Sequence, residues 1–303
     1  PITKYATYAT TPEEAVYGTQ MAVKHASLPR TGPAAICMKT SIIRKEVGED
    51  LKPQLYDTEG YLKYTPARPD RRALEDLAKT LNVAKSPVII AGNGVLASNK
   101  GYELQTLAEK AGIAVATSYN GKGVISEISE IAVGMLGTWG MPTANRAVAE
   151  ADVIVMLGAS MGPDYTRFRD PAMIRPAEQT LIQVDIDPRN AGWVYPVDQA
   201  ITADIKDFLP MLAEIGLSDK NRAARLSAIR KLKIRTNYDE LPDLPAAQGT
   251  VHHTDLVYAT QAILGQDDLL VLDAGANRIW STFGLRMPHP QQLLVPGGTG
   301  VMG

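Results

Sequence analysis

The run Gly134-Met135-Leu136-Gly137-Thr138-Trp139-Gly140-Met141 leads into a short helical stretch, Pro142–Glu150, and then into the wholly apolar segment Val153-Ile154-Val155-Met156-Leu157, which stops at Gly158. This unit constrains the fold more than any other part of the chain. A strand apolar on both faces needs cover on both, as in a parallel sheet flanked by helices. The pattern recurs on either side. Leu74, Leu77, Ala78 and Leu81 line one face of a helix that Asp70 caps and that runs to Lys85, and the strand Pro87–Ala91 follows, closed by Gly92-Asn93-Gly94. A helix over Gly101–Ala111 precedes a strand over Ile113–Thr117. Strands over Thr180–Val184 and Ala200–Ala203 and a helix over Ile205–Ile215 complete the unit. The expected fold class is α/β, with a doubly wound parallel sheet in a middle domain over 70–216.

The flanks look less complete. Residues 1–50 hold a helix over 12–26, a turn at Arg30-Thr31-Gly32-Pro33 and a strand over Ala34–Met38; residues 51–69 are polar and proline-bearing, as a linker is. Residues 217–250 are basic and then proline-rich, which predicts a solvated helix plus linker. Residues 251–303 begin a further unit: a helix over Thr254–Leu264, a strand over Leu269–Leu272, the loop Asp273-Ala274-Gly275-Ala276-Asn277 and a strand over Leu293–Val295. The chain opens on Pro1 and closes in a glycine-dense loop, and both ends read as cuts through domains.

Composition narrows the functional classes. Lys and Arg total 31 against 33 Asp and Glu, for a net charge of -2, so electrostatics favours neither nucleic acid nor membrane as partner. The longest apolar stretches fall far short of the ~20 residues of a spanning helix. The single cysteine, Cys37, excludes an internal disulfide and sits in an apolar run that predicts a buried thiol. A cytoplasmic enzyme is the expectation. His252 and His253 are adjacent and predicted to point apart, so no metal site is expected from them.

In a parallel sheet, ligands sit at the carboxyl ends of the strands. The segments expected there are Gly92-Asn93-Gly94, Thr117-Ser118-Tyr119, Gly134–Gly140, Gly158-Ala159-Ser160 and Asp185-Ile186-Asp187. Small residues let backbone approach a flat or phosphorylated ligand, and Asp185 can accept from ribose hydroxyls or an adenine amino group. The alternative is that these glycines only make tight turns.

On these residues the chain resembles the central stretch of thiamine diphosphate (ThDP) enzymes of the acetolactate synthase type. Pro1-Ile2-Thr3-Lys4 and Arg30-Thr31-Gly32-Pro33 resemble the end of the family's pyrimidine-binding domain, 70–216 its FAD/NAD-binding-like middle domain, and Gly275-Ala276-Asn277 with Gly298-Thr299-Gly300-Val301-Met302-Gly303 the start of its diphosphate-binding domain. The resemblance implies that FAD, structural rather than redox, or an ADP-like ligand is held by Arg30, Gly92, Asn93, Gly94, Thr117, Ser118, Tyr119, Leu136, Gly137, Gly158, Ala159, Asp185, Ile186 and Asp204. It implies that Gly275, Ala276, Asn277 and Gly300 meet ThDP, and that Met302 wedges ThDP into its bent shape.

Two departures bear on the ligand. The family's arginine after the Gly-Ala pair is replaced by Ser160-Met161-Gly162-Pro163-Asp164, and Trp139 stands where a histidine is usual. FAD, an ADP-like ligand and no ligand in the middle domain therefore all stay open. Arg167 or Arg169 could stand in for the missing arginine, or be solvated loop charges. The family's activating glutamate would lie before Pro1, and its Mg²⁺ ligands after Gly303, so this polypeptide is expected to be inactive alone. The implied parent is a carboligase or decarboxylase of 2-keto acids, assembled as a homodimer or homotetramer. Its alternatives are an acyl-CoA enzyme of the 2-hydroxyacyl-CoA lyase or oxalyl-CoA decarboxylase kind, and a non-catalytic nucleotide-binding module.

Overall fold

The computed structural model describes residues 3–46, 60, 63–66, 68–240 and 248–295. The linker expected over 51–69 lies mostly outside these residues. The chain divides into two compact units, 1–67 and 68–303.

In the first unit, β1 (Tyr5–Ala9) and β2 (Ala34–Met38) pair in parallel, with Tyr5 opposite Ala34 and Ala9 opposite Met38. The crossover between them is α1 (Pro12–Ser27), and α2 (Thr40–Ile43) follows β2. The ends of α1 suit the helix dipole. Thr11 Oγ1 accepts from Glu14 N at 3.2 Å, Glu13 and Glu14 lie in the first turn, and Lys24 and His25 lie in the last. The buried thiol expected at Cys37 is overturned: Cys37 is exposed. Burial at β2 falls on neither face completely, and Cys37 is its most open position, because only β1 pairs with this strand among the described residues.

The second unit is built on six parallel strands: β3 (Pro87–Ala91), β4 (Ala114–Thr117), β5 (Ala132–Met135), β6 (Val153–Leu157), β7 (Thr180–Asp185) and β8 (Gln199–Thr202), in the spatial order β5-β4-β3-β6-β7-β8. Every residue of β3, β4, β5 and β6 is buried, as two-sided cover requires. The covering helices are α3 (Arg71–Val83), α4 (Asn93–Ala97), α5 (Gly101–Ala111), α6 (Pro142–Glu150), α7 (Ile205–Ile215) and α8 (Arg222–Arg235). Asp70 caps α3 by accepting from Arg72 N, and the buried residues of α3 are Leu74, Leu77, Ala78 and Leu81, as its periodicity predicts.

Helix α8 corrects the solvated reading of the basic segment. Its Leu226, Ile229 and Leu232 are buried in the core, and so is Arg225. The Arg225 guanidinium donates to the carbonyls of Leu81 and Ala84 at 2.6 Å and of Ala111 at 3.0 Å, closing the carboxyl ends of α3 and α5 together.

The remaining elements are α9 (His253–Ile263), β9 (Leu270–Val271), α10 (Ala276–Gly284) and β10 (Leu293–Leu294), with β9 and β10 paired in parallel. Their join to the sheet runs through a buried ion pair. Lys122 Nζ lies 2.7 and 2.8 Å from the two Glu127 carboxylate oxygens and donates to Leu285 O at 2.9 Å. Glu127 also accepts from Met287 N at 3.0 Å, and Tyr238 donates its hydroxyl to Glu127 O at 2.8 Å. Burial pushes the Lys122 ammonium down, against the pull of Glu127.

Three further differences concern local structure. Strand β5 takes in Gly134 and Met135, which read as loop in the sequence. Asn93 and Gly94 lie in the short helix α4. Ala276 and Asn277 belong to the first turn of α10 rather than to a loop. His252 and His253 do not point apart from every shared group: both rings lie against Trp280, at 5.5 and 5.3 Å, and among the described residues no cluster of three metal-ligating side chains occurs.

Candidate nucleotide-binding crest

Strand order reverses between β3 and β6, which lie side by side with their neighbours running outward in opposite directions. This is the topological switch point, and because all six strands are parallel their carboxyl tips share one edge of the sheet. The tips expected to form a site, after β3, β4, β5, β6 and β7, therefore form a single crest.

Backbone holds the crest together. Gly92 N donates to Leu157 O at 2.9 Å, Gly94 N to Gly158 O at 3.0 Å and Ser118 N to Ala91 O at 2.9 Å. A methyl on Gly92 would strike the Gly158 carbonyl, and Gly158 itself is left-handed with φ of 58° and packed on Gly94. These glycines thus serve loop-to-loop packing at the switch point, and Asn93 between them is exposed. Leu136 is buried, and the two backbone groups of Gly137 are bracketed by Asn145, which accepts from Gly137 N at 2.8 Å and donates to Gly137 O at 3.0 Å.

The acidic candidates already serve turns. Asp185 accepts from Asp187 N at 2.9 Å and from Asn190 Nδ2 at 3.2 Å, and Asp204 caps α7 by accepting from Lys206 N at 2.9 Å. Each keeps lone pairs for a ligand, but neither carboxylate stands idle. Ala159 is buried, its carbonyl accepting from Gln183 at 3.3 Å, and Ile186 is half-buried. Past β6, Arg167, Phe168 and Arg169 are all left-handed, with φ of 50, 59 and 63°. Arg169 donates to Val194 O and lies over the Tyr195 ring, so it is committed to the loop after β7. Arg167 is exposed, 3.5 Å from Asp170.

Polar groups without a protein partner gather after β4. Thr117 Oγ1, Tyr119 OH and Asn120 Oδ1 are buried and unbonded, while Ser118 is buried. The Tyr119 ring stacks on Tyr165 at 6.3 Å, and the Arg278 guanidinium lies 5.0 Å above its centre. Burial pushes the Tyr119 phenol up to about 12, with Arg278 pulling the other way. The two hydroxyls and the flat ring fit an acceptor-rich nucleotide ligand, and the Asn120 oxygen fits an N–H or O–H of the same ligand. Sequence reasoning missed Asn120 and Arg278, although each adjoins a segment it singled out, because nothing in the sequence brings residues 117–120 and 275–278 together.

The ThDP-facing candidates are only partly described. Gly275, with φ of 120°, precedes α10, whose first turn holds Ala276 and Asn277 and has no side-chain cap. An uncapped helix start fits a diphosphate. Gly300 and Met302 lie outside the described residues. Arg30 sits, exposed, in the turn between α1 and β2 of the first unit.

Comparison with known proteins agrees with this geometry. Residues 74–212 match the family described as thiamine pyrophosphate enzyme, central domain. Over its full length the chain is 31% identical to the probable acetolactate synthase large subunit of Methanocaldococcus jannaschii, covering 51% of that protein. It is 27% identical to the acetolactate synthase large subunit of Corynebacterium glutamicum, again over its full length and 48% of the relative. The acetolactate synthase isozyme 1 large subunit of Escherichia coli is 30% identical over 76% of this chain and 39% of its own length. The chain thus spans about half the length of the relatives it matches. With the six-stranded sheet corresponding to the central domain, this chain belongs to the thiamine pyrophosphate enzyme family, on its acetolactate synthase-like branch.

Proposed function

We propose that the chain is the central portion of a ThDP-dependent carboligase acting on 2-keto acids, with a nucleotide held on the crest. The observation that carries this reading is the likeness, over the whole chain, to acetolactate synthase large subunits. No relative among them favours an acyl-CoA substrate. The relatives' description as large subunits supports assembly of the whole protein with further copies or with a smaller partner chain.

In this reading the crest binds FAD or an ADP-like ligand through Gly92, Asn93, Gly94, Thr117, Ser118, Tyr119, Leu136, Gly137, Gly158, Ala159, Asp185, Ile186 and Asp204. The ligand's part is structural. Gly275, Ala276, Asn277 and Gly300 would hold ThDP, and Met302 would fix its conformation. When bound, ThDP supplies an electron sink for the bond beside the substrate carbonyl. The chain's own contribution is positional: the uncapped start of α10 offers backbone N–H groups to the diphosphate. Mg²⁺ would be held by residues other than those described.

The test compares the 303-residue chain with a polypeptide extended on both sides to the relatives' length. Given pyruvate, ThDP and Mg²⁺, the extended form is expected to produce acetolactate and the chain alone none. An extended form without carboligase activity on any 2-keto acid would overturn the reading. Isolated protein that is yellow would identify the crest ligand as flavin, and a colourless protein that binds ADP would identify an ADP-like one.

A further inference from the structure

Among the described residues, ten buried side-chain polar atoms lack a hydrogen-bond partner, and five of them lie on the linked group Thr117, Tyr119, Asn120 and Arg278. They are Thr117 Oγ1, Tyr119 OH, Asn120 Oδ1 and the Nε and Nη1 of Arg278. Native interiors leave few such groups unmatched, so half of them on residues 117–120 and on the guanidinium that lies over Tyr119 mark a place built for a polar occupant. Three separate pieces of chain make it. Thr117 ends β4 and Tyr119 and Asn120 follow it, Tyr165 supplies a stacked ring from the turn after β6, and Arg278 reaches over Tyr119 from the first turn of α10.

The unmatched groups define the occupant's chemistry. Arg278 offers two unmatched nitrogens, Nε and Nη1, and a fixed positive charge. Tyr119 stays protonated at neutral pH, so its hydroxyl donates, and Thr117 can do the same. The unmatched atom of Asn120 is its amide oxygen, which accepts and so suits an N–H or O–H of the occupant rather than its phosphate. Two hydroxyls and one guanidinium, half-buried beside an aromatic ring, suit an oxyanion that accepts several hydrogen bonds at once. We propose that Thr117, Tyr119 and Arg278 form a phosphoryl-binding subsite, which holds the phosphate groups of a nucleotide on the crest. The proposal rests on the crest's being a nucleotide site and goes beyond it in assigning the phosphate contacts and in recruiting Arg278 from outside the sheet. It has a structural corollary. Arg278 N donates to Asn277 Oδ1 at 2.6 Å, so a phosphate that holds Arg278 also steadies the Gly275–Asn277 turn.

Calorimetric titration of the chain with ADP, adenosine and inorganic phosphate tests this. Wild-type protein should bind ADP more tightly than adenosine. Arg278→Gln should weaken ADP about tenfold to a hundredfold, the range of a lost charge-assisted hydrogen bond, and leave adenosine unchanged. Tyr119→Phe keeps the ring beneath the guanidinium, so it should fold normally and weaken ADP alone, by about fivefold. If both variants bind ADP as the wild type does, the subsite is wrong while the crest reading stands. If ADP and adenosine fail to bind but phosphate binds in an Arg278-dependent way, the subsite stands and the nucleotide reading falls. If wild-type protein binds neither ADP nor phosphate, the subsite is overturned.

Discussion

Lys233 lies half-buried with its ammonium 4.5 Å from the centre of the Tyr238 ring, donating to Ser129 O at 2.9 Å. Burial lowers it from its usual 10.5 to about 8, with Asp239 and Glu130 opposing. Between those values the unfolded chain holds a proton that the folded chain has released. Below pH 8 the folded state carries the cost of a charged, desolvated amine, and that cost is relieved as pH rises toward 10.5. Urea titrations from pH 7.5 to 10 should therefore show stability rising relative to a Lys233→Met variant, which lacks the group; parallel curves would refute this. Gly92 supplies a second residue-scale prediction. A methyl there meets the Gly158 carbonyl and the Ala159 backbone, and backbone cannot swing aside as a side chain can. Gly92→Ala should cost about 2 kcal/mol or more in equilibrium denaturation, whereas Gly60→Ala, which meets nothing, should be near neutral.

At the scale of elements, legibility follows from how many residues carry the signal. Helix α3 was readable because four apolar residues at helical spacing and an aspartate cap agree, and all four are buried. Strands β3 and β6 were readable as continuous apolar runs between breakers. Strand β5 was not, since Gly134 sits inside it with φ of 87°, and a glycine in so short a segment reads as turn. Helix α8 was visible, but its burial was not. Arg225 looks like one more surface charge until three carbonyls from two helix ends are seen around it. In the site, the glycine-marked strand tips were legible, whereas Arg278 was not, because its place depends on a helix folding back over Tyr119. The double service of Asp185 and Asp204 in turns and caps also needs coordinates to see. Arg225→Met should cost about 3 kcal/mol or more, since it leaves buried carbonyls without donors. Arg225→Lys should recover only part of this, because an ammonium cannot span the ends of α3 and α5 in the fork a guanidinium provides.

For the molecule as a whole, the Lys122–Glu127 pair is the buried polar link between the sheet and the 285–287 segment. Removing either partner strands a desolvated charge, so Lys122→Met and Glu127→Leu should each cost about 3–5 kcal/mol. The double variant should cost clearly less than the sum, because no lone charge remains. Strict additivity in a double-mutant cycle would show that the two side chains act independently. Among the described residues no helix is long and apolar enough to cross a membrane.

The guanidinium at 225 also bears on where this chain can be divided. A fragment trimmed at residue 216, where the alternation of strand and helix runs out, would discard the clasp that shuts the sheet's amino-terminal edge. The apolar surface that Leu226, Ile229 and Leu232 cover would then face water. Excision through residue 240 keeps that clasp, together with Tyr238, and should give the better-behaved preparation for ligand studies, with the shorter piece melting at lower temperature and aggregating sooner.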